Sequence, residues 1–452
     1  MRKGLAVILA ALIAGGAFAR PAHQKAPLPN LPKDQLCAAG FIPAYYNKQD
    51  LSQKPVVSAP SAVLIDFDTG EILYSKDPDA KRYPASTTKI LTALLLAENT
   101  EPTDKVVCRN PYITEVGESS LFIHTGDMFT AQALLYGFIL KSANDGGVVI
   151  AEHVAGSVPR FAELMTARAK EIGAKNSNFK NPHGLHNKDH YTTARDLALI
   201  AREAMRNPKF EDAVSIPRRT ISRVDASGKT VVTVVQSKGK KPFYDVVPGS
   251  DGIKTGFTNP AKHCFVGSAT RGGRRLIAVS LASPSNSCAD CQALIEWGFA
   301  RFPATALAKK DQPVTKLPVS QGAVPEVMAV AKASLRVAGD VLGGRKIEKE
   351  IIPAGNTAPI KQGDEVGQLV AKVNGKEIAR VPLLASQPVE RSVVKAATRT
   401  PGLPGAAIAV GVMGAGALAL VGAKNGRDNA RKRAARRATT KSAGGRGRSG
   451  TA

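Results

Sequence analysis

A serine and a lysine three residues apart stand at the start of a strongly apolar stretch of this chain. Ser86 and Lys89 belong to the segment Tyr83-Pro84-Ala85-Ser86-Thr87-Thr88-Lys89-Ile90, which several leucines follow. Residues with this spacing share one face of a helix, and a proline is tolerated at the helix start. The segment predicts a buried helix with Ser86 in its first turn, beside backbone N–H groups that have no helical acceptor. Such a position suits a nucleophile.

The spacing becomes specific only together with two other segments. Three further pairs share it, namely Ser177/Lys180, Ser237/Lys240 and Ser392/Lys395. A Ser-x-Asn segment occurs once, at Ser142 and Asn144, and Lys-Thr-Gly occurs once, at Lys254-Thr255-Gly256. Ser-x-x-Lys, Ser-Asp-Asn and Lys-Thr-Gly form the signature of class A β-lactamases and penicillin-binding proteins. Their order and uniqueness select Ser86 and Lys89 from the four pairs.

The predicted elements place these segments on a helix, a loop and a strand. A hairpin over residues 61–75 precedes Ser86. Apolar residues at helical spacing predict one helix over 129–140 and another from about Val148 to Gly156, with Asp145 as a helix cap in the loop between them. Thr193 and Asp196 then fit a capping box that opens a helix through Met205.

After this helical region the apolar pattern changes to strands. Three strand-like runs, over 252–257, 263–270 and 276–281, predict an antiparallel meander, and a helix closes the domain near Pro303. We therefore predict an α+β domain over 58–303, in which helices pack on an antiparallel sheet and a helical subdomain is added.

The flanking regions differ in composition. Repeated prolines predict an arm over 20–57. Residues 304–392 are rich in turn residues and short strand-like runs, which favours a small β-sandwich as a second domain. Residues 393–402 are then a linker.

The two ends of the chain predict an exported, membrane-anchored protein. Residues 1–19 have the charged, apolar and small-residue regions of a signal peptide, and their apolar run is short for a membrane helix. Residues 403–423 carry no charge and are about long enough to span a bilayer. The basic tail over 424–452 supplies a large share of the formal charge of +25 and is expected in the cytoplasm. A nucleic-acid-binding tail is not favoured, because the tail has no aromatic residues for stacking.

Cysteine usage excludes a disulfide scaffold. An odd number of cysteines, five, leaves at least one thiol unpaired in the monomer. Cys288 and Cys291 have the spacing of a metal or redox pair, but a zinc site needs a second pair of ligands, so a local bridge or two half-buried thiols is the simpler interpretation. We expect no metal and no cofactor.

The chain resembles the low-molecular-mass penicillin-binding proteins, specifically the D-alanyl-D-alanine carboxypeptidases of serine peptidase family S11. The resemblance covers most of residues 56–392. Besides the three motifs it is carried by Asn181-Pro182-His183-Gly184-Leu185, Tyr191-Thr192-Thr193-Ala194-Arg195-Asp196, Gly273-Arg274-Arg275-Leu276-Ile277-Ala278-Val279, Trp297-Gly298-Phe299 and Ala358-Pro359-Ile360 with Gly363 and Gly367.

The resemblance implies three catalytic residues. Ser86 would attack the carbonyl between two D-alanines and form an acyl-enzyme. Lys89 would accept its proton, which requires a neutral amine that burial and the nearby charge of Lys254 would favour; which group acts as base is disputed in related enzymes. Ser142 would relay a proton to the leaving amine.

The resemblance also implies how substrate is held. Asn144 would bind the substrate amide, Lys254 and Thr255 its terminal carboxylate, and Gly256 belongs to the same motif. The backbone N–H groups of Ser86 and Phe257 match the oxyanion hole of the family. Family members often carry arginines where this chain has Ser285-Asn286-Ser287, so the resemblance does not imply how this chain contacts the substrate carboxylate at that point.

The expected partners are peptidoglycan stem peptides that end in D-Ala-D-Ala, β-lactams as covalent inhibitors, and the membrane. Two alternatives stay open at this point: a serine β-lactamase, and a catalytically silent wall-binding protein of the same fold. Residues 174–181, where a class A deacylating glutamate is expected, contain no acidic residue. His183 suggests a Ser-His-Asp triad, but the chain has no Gly-x-Ser-x-Gly segment, so a role in loop structure is favoured.

Overall fold

The structure is a computed structural model, and it describes residues 51–112, 118–237 and 241–392. The chain forms two compact units. Of the described residues, the first comprises those up to Thr305 together with Arg336–Ile347 and Val373–Ile378, and the second comprises Ala306–Leu335, Glu348–Lys372 and those from Ala379 to Ser392.

A five-stranded sheet is the centre of the first unit, with strand order β2-β1-β9-β8-β7 and antiparallel pairing throughout. The predicted hairpin and meander are confirmed. They form one sheet because β1 pairs with β9. The strands are β1 Ser61–Asp66, β2 Ile72–Lys76, β7 Ser250–Thr258, β8 Lys262–Arg271 and β9 Arg274–Ser283.

Helices cover both faces of this sheet. Alternate residues of β1 point to opposite sides, as a strand requires. Val63 and Ile65 pack in the larger cluster with the leucines of the Ser86 segment, and Leu64 packs in the smaller one with Leu294 and Trp297 of the closing helix α8, Ser287–Arg301. Both faces are therefore buried, which explains why these strands read as nearly continuous apolar runs.

The larger cluster is a helical block. Its helices are α1 Lys89–Asn99, α2 Ala131–Lys141, α3 Asn144–Ala155, α4 Val158–Ile172, α5 Ala194–Ala204 and α6 Pro208–Ser215; the short α7, Lys241–Val246, follows. Their starts are set by local chemistry, because Thr130, Ser157 and Asn207 each accept a backbone N–H as helix caps.

Two cap predictions need correction. Helix α3 begins at Asn144, before the predicted start near Val148, and Asp145 lies inside its first turn instead of capping it. Gly146 and Gly147 weaken the helical pattern at the start of α3, which is why the sequence predicted a later start. Gly147 also lets α3 approach α2, since a Cβ there would lie 3.2 Å from the ring of Phe138. Thr193 does cap α5, but Asp196 binds Asn176 N–H and Ser177 Oγ, so the reciprocal half of the capping box is absent.

A four-stranded antiparallel sheet, in the order β3-β4-β5-β6, borders the helical block and was not predicted. Its apolar signal is weak, because only Ile221 and Val235 are buried in the two longer strands. The strands are β3 Lys105–Val107, β4 Met128–Thr130, β5 Arg218–Val224 and β6 Thr230–Gln236.

The remaining strands make the carboxyl-terminal part β-rich, as predicted. The five-stranded sheet β11-β12-β16-β15-β14 and the two-stranded sheet β10-β13 contain them all, and a sandwich arrangement stays a prediction. These strands are β10 Ala304–Ala308, β11 Pro313–Pro318, β12 Glu326–Ala331, β13 Leu335–Ala338, β14 Ile347–Pro353, β15 Glu365–Val373 and β16 Lys376–Ala385.

The predicted signal peptide, linker, membrane span and basic tail lie outside the described residues, as does most of the proline-rich arm. Within 51–112, 118–237 and 241–392, no helix has the length and apolar character needed to cross a bilayer.

Candidate active site

The Ser86 segment forms a tight turn before its helix. A 3-10 turn over Ala85–Thr88 leads into α1, which begins at Lys89. Ala85 has φ +47°, a left-handed conformation that is uncommon for a residue with a side chain. Gly184 supports this turn at very short range: its φ is +86°, and a Cβ there would lie 1.8 Å from the carbonyl oxygen of Ala85. Only glycine fits, so the Asn181–Leu185 loop shapes the backbone that presents Ser86.

Lys89 lies beneath Ser86 with its side chain fully buried, at 0% exposure. Its Nζ donates to Ser86 Oγ at 3.0 Å, to Asn144 Oδ1 at 2.7 Å and to the carbonyl oxygen of His183 at 2.7 Å. An ammonium has three N–H donors, and these contacts occupy all of them. The amine is therefore held in one place, directed at the hydroxyl of Ser86.

The surroundings of Lys89 favour its neutral form. Burial in the first place, and then the positive charge of Lys254, lower the pKa of Lys89 well below its ordinary value, while Glu118 and Asp145 oppose the shift. A neutral amine 3.0 Å from a hydroxyl oxygen can accept the hydroxyl proton. The two residues thus have the geometry of a nucleophile and its base.

Asn144 and Ser142 come from the junction of α2 and α3. Ser142 ends α2 in the left-handed conformation, with φ 60°, and this turn brings Asn144 to the first position of α3 beside Lys89. Asp145 holds the junction against a neighbouring loop, since its carboxylate accepts the hydroxyl of Ser120 at 2.6 Å and the N–H of Leu121 at 3.0 Å. Among the described residues, no hydrogen bond joins the Ser142 hydroxyl to Ser86 or Lys89.

The Lys-Thr-Gly segment lies on β7, directly beside the Ser86 turn. A Cβ on Gly256 would lie 2.9 Å from the backbone nitrogen of Ser86, so glycine lets the strand approach the nucleophile. Thr255 and Phe257 flank Gly256 on the same strand, and the Phe257 side chain is 54% exposed. The backbone of β7 and that of the Ser86 turn therefore border one common space.

Lys254 is the second buried lysine, at 2% exposure. Its Nζ donates to the carbonyl oxygen of Thr255 at 2.9 Å. Burial lowers the pKa of Lys254 to about 7. An ammonium with one hydrogen bond to the described residues keeps donors for an anion, which would in turn stabilise its charge.

His183 has a structural role, as the sequence indicated. Its Nδ1 accepts the N–H of Leu185 at 3.2 Å, and its carbonyl oxygen accepts from Lys89. Burial, followed by the charge of Lys89, lowers the pKa of His183 to about 3, so the ring is neutral near pH 7. The described hydrogen bonds do not link its ring to Ser86, and a Ser-His-Asp triad is not formed.

Sequence reasoning missed one acidic residue at the site. Glu118 Oε2 accepts from Asn144 Nδ2 at 3.2 Å and from the hydroxyl of Tyr112 at 3.4 Å. Neither Glu118 nor Tyr112 belongs to a motif with recognisable spacing, so only the folded chain brings them to Asn144.

The described residues contain no cluster of His, Cys, Asp or Glu side chains that could hold a metal ion. Cys288 and Cys291 lie in the first two turns of α8 and are not joined in a disulfide, in agreement with the interpretation as two thiols.

Comparisons with known proteins identify similar sequences and structures. Residues 48–285 match the Peptidase S11 family model, described as D-alanyl-D-alanine carboxypeptidase, and residues 302–391 match the model described as penicillin-binding protein 5, C-terminal domain. The chain is 32% identical over 365 residues to the D-alanyl-D-alanine carboxypeptidase DacF of Bacillus subtilis, covering 78% of this chain and 92% of the relative.

Two further similarities extend over the same region. The D-alanyl-D-alanine carboxypeptidase DacC of Escherichia coli is 30% identical over 366 residues, covering 77% of this chain and 89% of the relative. The crystal structure of penicillin binding protein 5 from Haemophilus influenzae is similar with a TM-score of 0.59 at 27% identity, covering 75% of this chain and 99% of that one.

Proposed function

This chain belongs to the D-alanyl-D-alanine carboxypeptidases of peptidase family S11, and on that premise we propose that its serine peptidase activity proceeds through an acyl-enzyme on Ser86. One observation carries the assignment: Lys89, fully buried and with a lowered pKa, lies 3.0 Å from the hydroxyl oxygen of Ser86. The substrate is a peptidoglycan stem peptide that ends in D-Ala-D-Ala.

In the first half-reaction, Lys89 accepts the proton of Ser86 while Oγ attacks the carbonyl carbon of the penultimate D-alanine. The backbone N–H groups of Ser86 and Phe257 stabilise the negative oxygen of the tetrahedral intermediate. The C–N bond then breaks, the amine of the terminal D-alanine takes a proton through Ser142, and the acyl group stays on Ser86. In the second half-reaction, water attacks this ester and restores the free serine.

Substrate is held by the residues around this space. Asn144 binds the substrate amide, and Lys254 with Thr255 binds the terminal carboxylate. Gly256 has no side chain to fill the narrow space between β7 and Ser86, where a Cβ would lie 2.9 Å from the Ser86 nitrogen, so the peptide backbone can lie along β7. Relatives often carry arginines where this chain has Ser285-Asn286-Ser287. The buried ammonium of Lys254 supports the assignment, because it supplies a positive charge for the carboxylate without those arginines.

The place of action follows from composition. We infer an exported ectodomain, produced by a signal peptide over 1–19 and held by a membrane helix over 403–423 with the basic tail 424–452 in the cytoplasm. The wall substrate lies on that outer side. A β-lactam imitates the D-Ala-D-Ala terminus and would acylate Ser86.

The decisive experiment measures D-alanine released from a pentapeptide that ends in D-Ala-D-Ala. We expect release by the wild-type protein and a loss on the order of 10⁴-fold or more in Ser86→Ala. Ser392→Ala, taken from another pair with the same spacing, is the matched control and should keep full activity. No release by the wild type, or equal release by Ser86→Ala, would overturn the assignment.

The fate of penicillin separates this function from a β-lactamase. Intact-protein mass spectrometry should find a long-lived covalent adduct, and peptide mapping should locate it on Ser86. Rapid turnover of the drug with no lasting adduct would favour the β-lactamase instead.

A further inference from the structure

The carboxylate of Glu118 lies at the active site but has no part in the reaction as derived above. Its side chain is partly exposed, and its Oε2 accepts from Asn144 Nδ2 at 3.2 Å. The hydroxyl of Tyr112 reaches the same oxygen at 3.4 Å. Among the described residues, no cation forms an ion pair with Glu118. The carboxylate can therefore accept from Asn144, and its second hydrogen bond, from Tyr112, fixes its position.

These contacts form a closed ring with Lys89. Lys89 donates to Asn144 on one side and to the carbonyl oxygen of His183 on the other. The ring of His183 lies against the ring of Tyr112, with centroids 5.6 Å apart, and Tyr112 donates to Glu118. Because Glu118 accepts from Asn144, every member of the ring is held by two neighbours.

The two contacts of the Asn144 amide determine its orientation. The donors of Lys89 require the oxygen Oδ1, and the acceptor on Glu118 requires the nitrogen Nδ2. One contact alone would let the amide swing about it, whereas two opposite contacts hold its plane. The second N–H of Nδ2 then points to a defined place, where it can bind the carbonyl oxygen of a substrate amide.

We propose that Glu118 is a positioning residue for the carboxypeptidase reaction, which fixes the amide of Asn144 for substrate binding. This inference rests on the active site proposed above. It assigns to Glu118 no proton transfer and no bond to substrate.

The negative charge of Glu118 has a second, measurable effect. Four groups face the amine of Lys89: Lys254, Glu118, Asp145 and the neutral ring of His183. Burial and Lys254 lower the pKa of Lys89, and Glu118 and Asp145 oppose that change. Removing the charge of Glu118 should therefore lower the pKa of Lys89 further, and the acidic limb of the pH profile should move to lower pH.

Two variants of the full-length protein test the proposal. Glu118→Ala removes the acceptor, and we expect acylation of Ser86 by a fluorescent penicillin to slow by roughly 10- to 100-fold, the range of a hydrogen bond to a charged group. Glu118→Gln keeps an acceptor oxygen and should stay within about threefold of the wild type at the pH optimum. Its acidic limb for D-alanine release should lie at lower pH.

Glu163→Ala, an exposed glutamate on α4, is the control and should match the wild type. Wild-type rates in Glu118→Ala, or a failure of glutamine to restore them, would overturn the positioning role. An unshifted acidic limb in Glu118→Gln would overturn the electrostatic effect, even if the alanine variant failed to fold. An inactive wild type would instead overturn the proposed function, and this inference with it.

Discussion

Two lysines are buried at one site, and their environments suit opposite protonation states. Lys89 is fully buried and faces the positive charge of Lys254, so its neutral form is favoured. As a neutral amine it can still donate to Asn144 and to the carbonyl oxygen of His183, and its lone pair can accept the proton of the third neighbour, Ser86. Lys254 has one such contact to described residues and a pKa lowered by burial to about 7. A bound carboxylate would restore its charge. One lysine is thereby suited to accept a proton and the other to bind an anion.

This difference predicts a bell-shaped pH profile for kcat/KM of D-alanine release. Activity should rise as Lys89 loses its proton, and it should fall above pH of about 7, roughly tenfold per pH unit, as the free protein loses the proton of Lys254. Lys254→Arg keeps the charge at all accessible pH values and should move the alkaline limb well above this range, at some cost in rate. An alkaline limb that stays in place in this variant would contradict the role of Lys254.

Helices and strands bring the motifs together through a few polar contacts between them. The start of α3 depends on Asp145, whose carboxylate accepts the backbone N–H groups of Leu121 and Ile123 and the hydroxyl of Ser120. These donors are buried, so the carboxylate satisfies groups that water cannot reach. Asn144 lies at the same helix start. The position of Asn144 therefore depends on the loop that contains Ser120 and Leu121, which comes before α2 in the chain.

Asp145→Ala should leave these donors without an acceptor. We expect a loss of roughly 3 kcal/mol in the free energy of unfolding, measured by urea denaturation, and slower penicillin acylation because the start of α3 moves. Asp225→Ala is the matched control, since Asp225 accepts from Ser227 and Lys229 in an exposed turn where water can replace it. Equal effects of the two substitutions would refute the role of burial.

The compact unit that contains Ser86 includes two short segments from later in the chain, after Thr305. These segments are Arg336–Ile347 and Val373–Ile378. Asp340, with its side chain 3% exposed, accepts from Arg301 at 2.8 Å, and Arg345 donates at 2.6 Å to Glu71, the residue before β2. These ion pairs attach a later segment of the chain to α8 and to the edge of the central sheet.

A chain cut after Pro303 should therefore be less stable. We expect the urea midpoint for loss of penicillin labelling, which reports only the unit with Ser86, to fall by an amount equivalent to at least about 2 kcal/mol. Asp340→Ala in the full-length chain should reproduce part of this loss. Glu326→Ala removes an exposed pair with Lys316 and should leave the midpoint unchanged. If the shortened chain kept the wild-type midpoint, the added segments would have no stabilising role.

Local patterns were sufficient for the β1–β2 hairpin, the meander β7–β9, the helices α2 and α5 and the three motifs, because period, turn residues and caps are encoded within a few residues. Long-range packing had to supply the rest. Lys89 and Asn144 are 55 residues apart in sequence, and no local signal places their atoms 2.7 Å from each other. Burial, the pKa values of both lysines and the contact of Glu118 with Asn144 arise only when distant elements exclude water around one site.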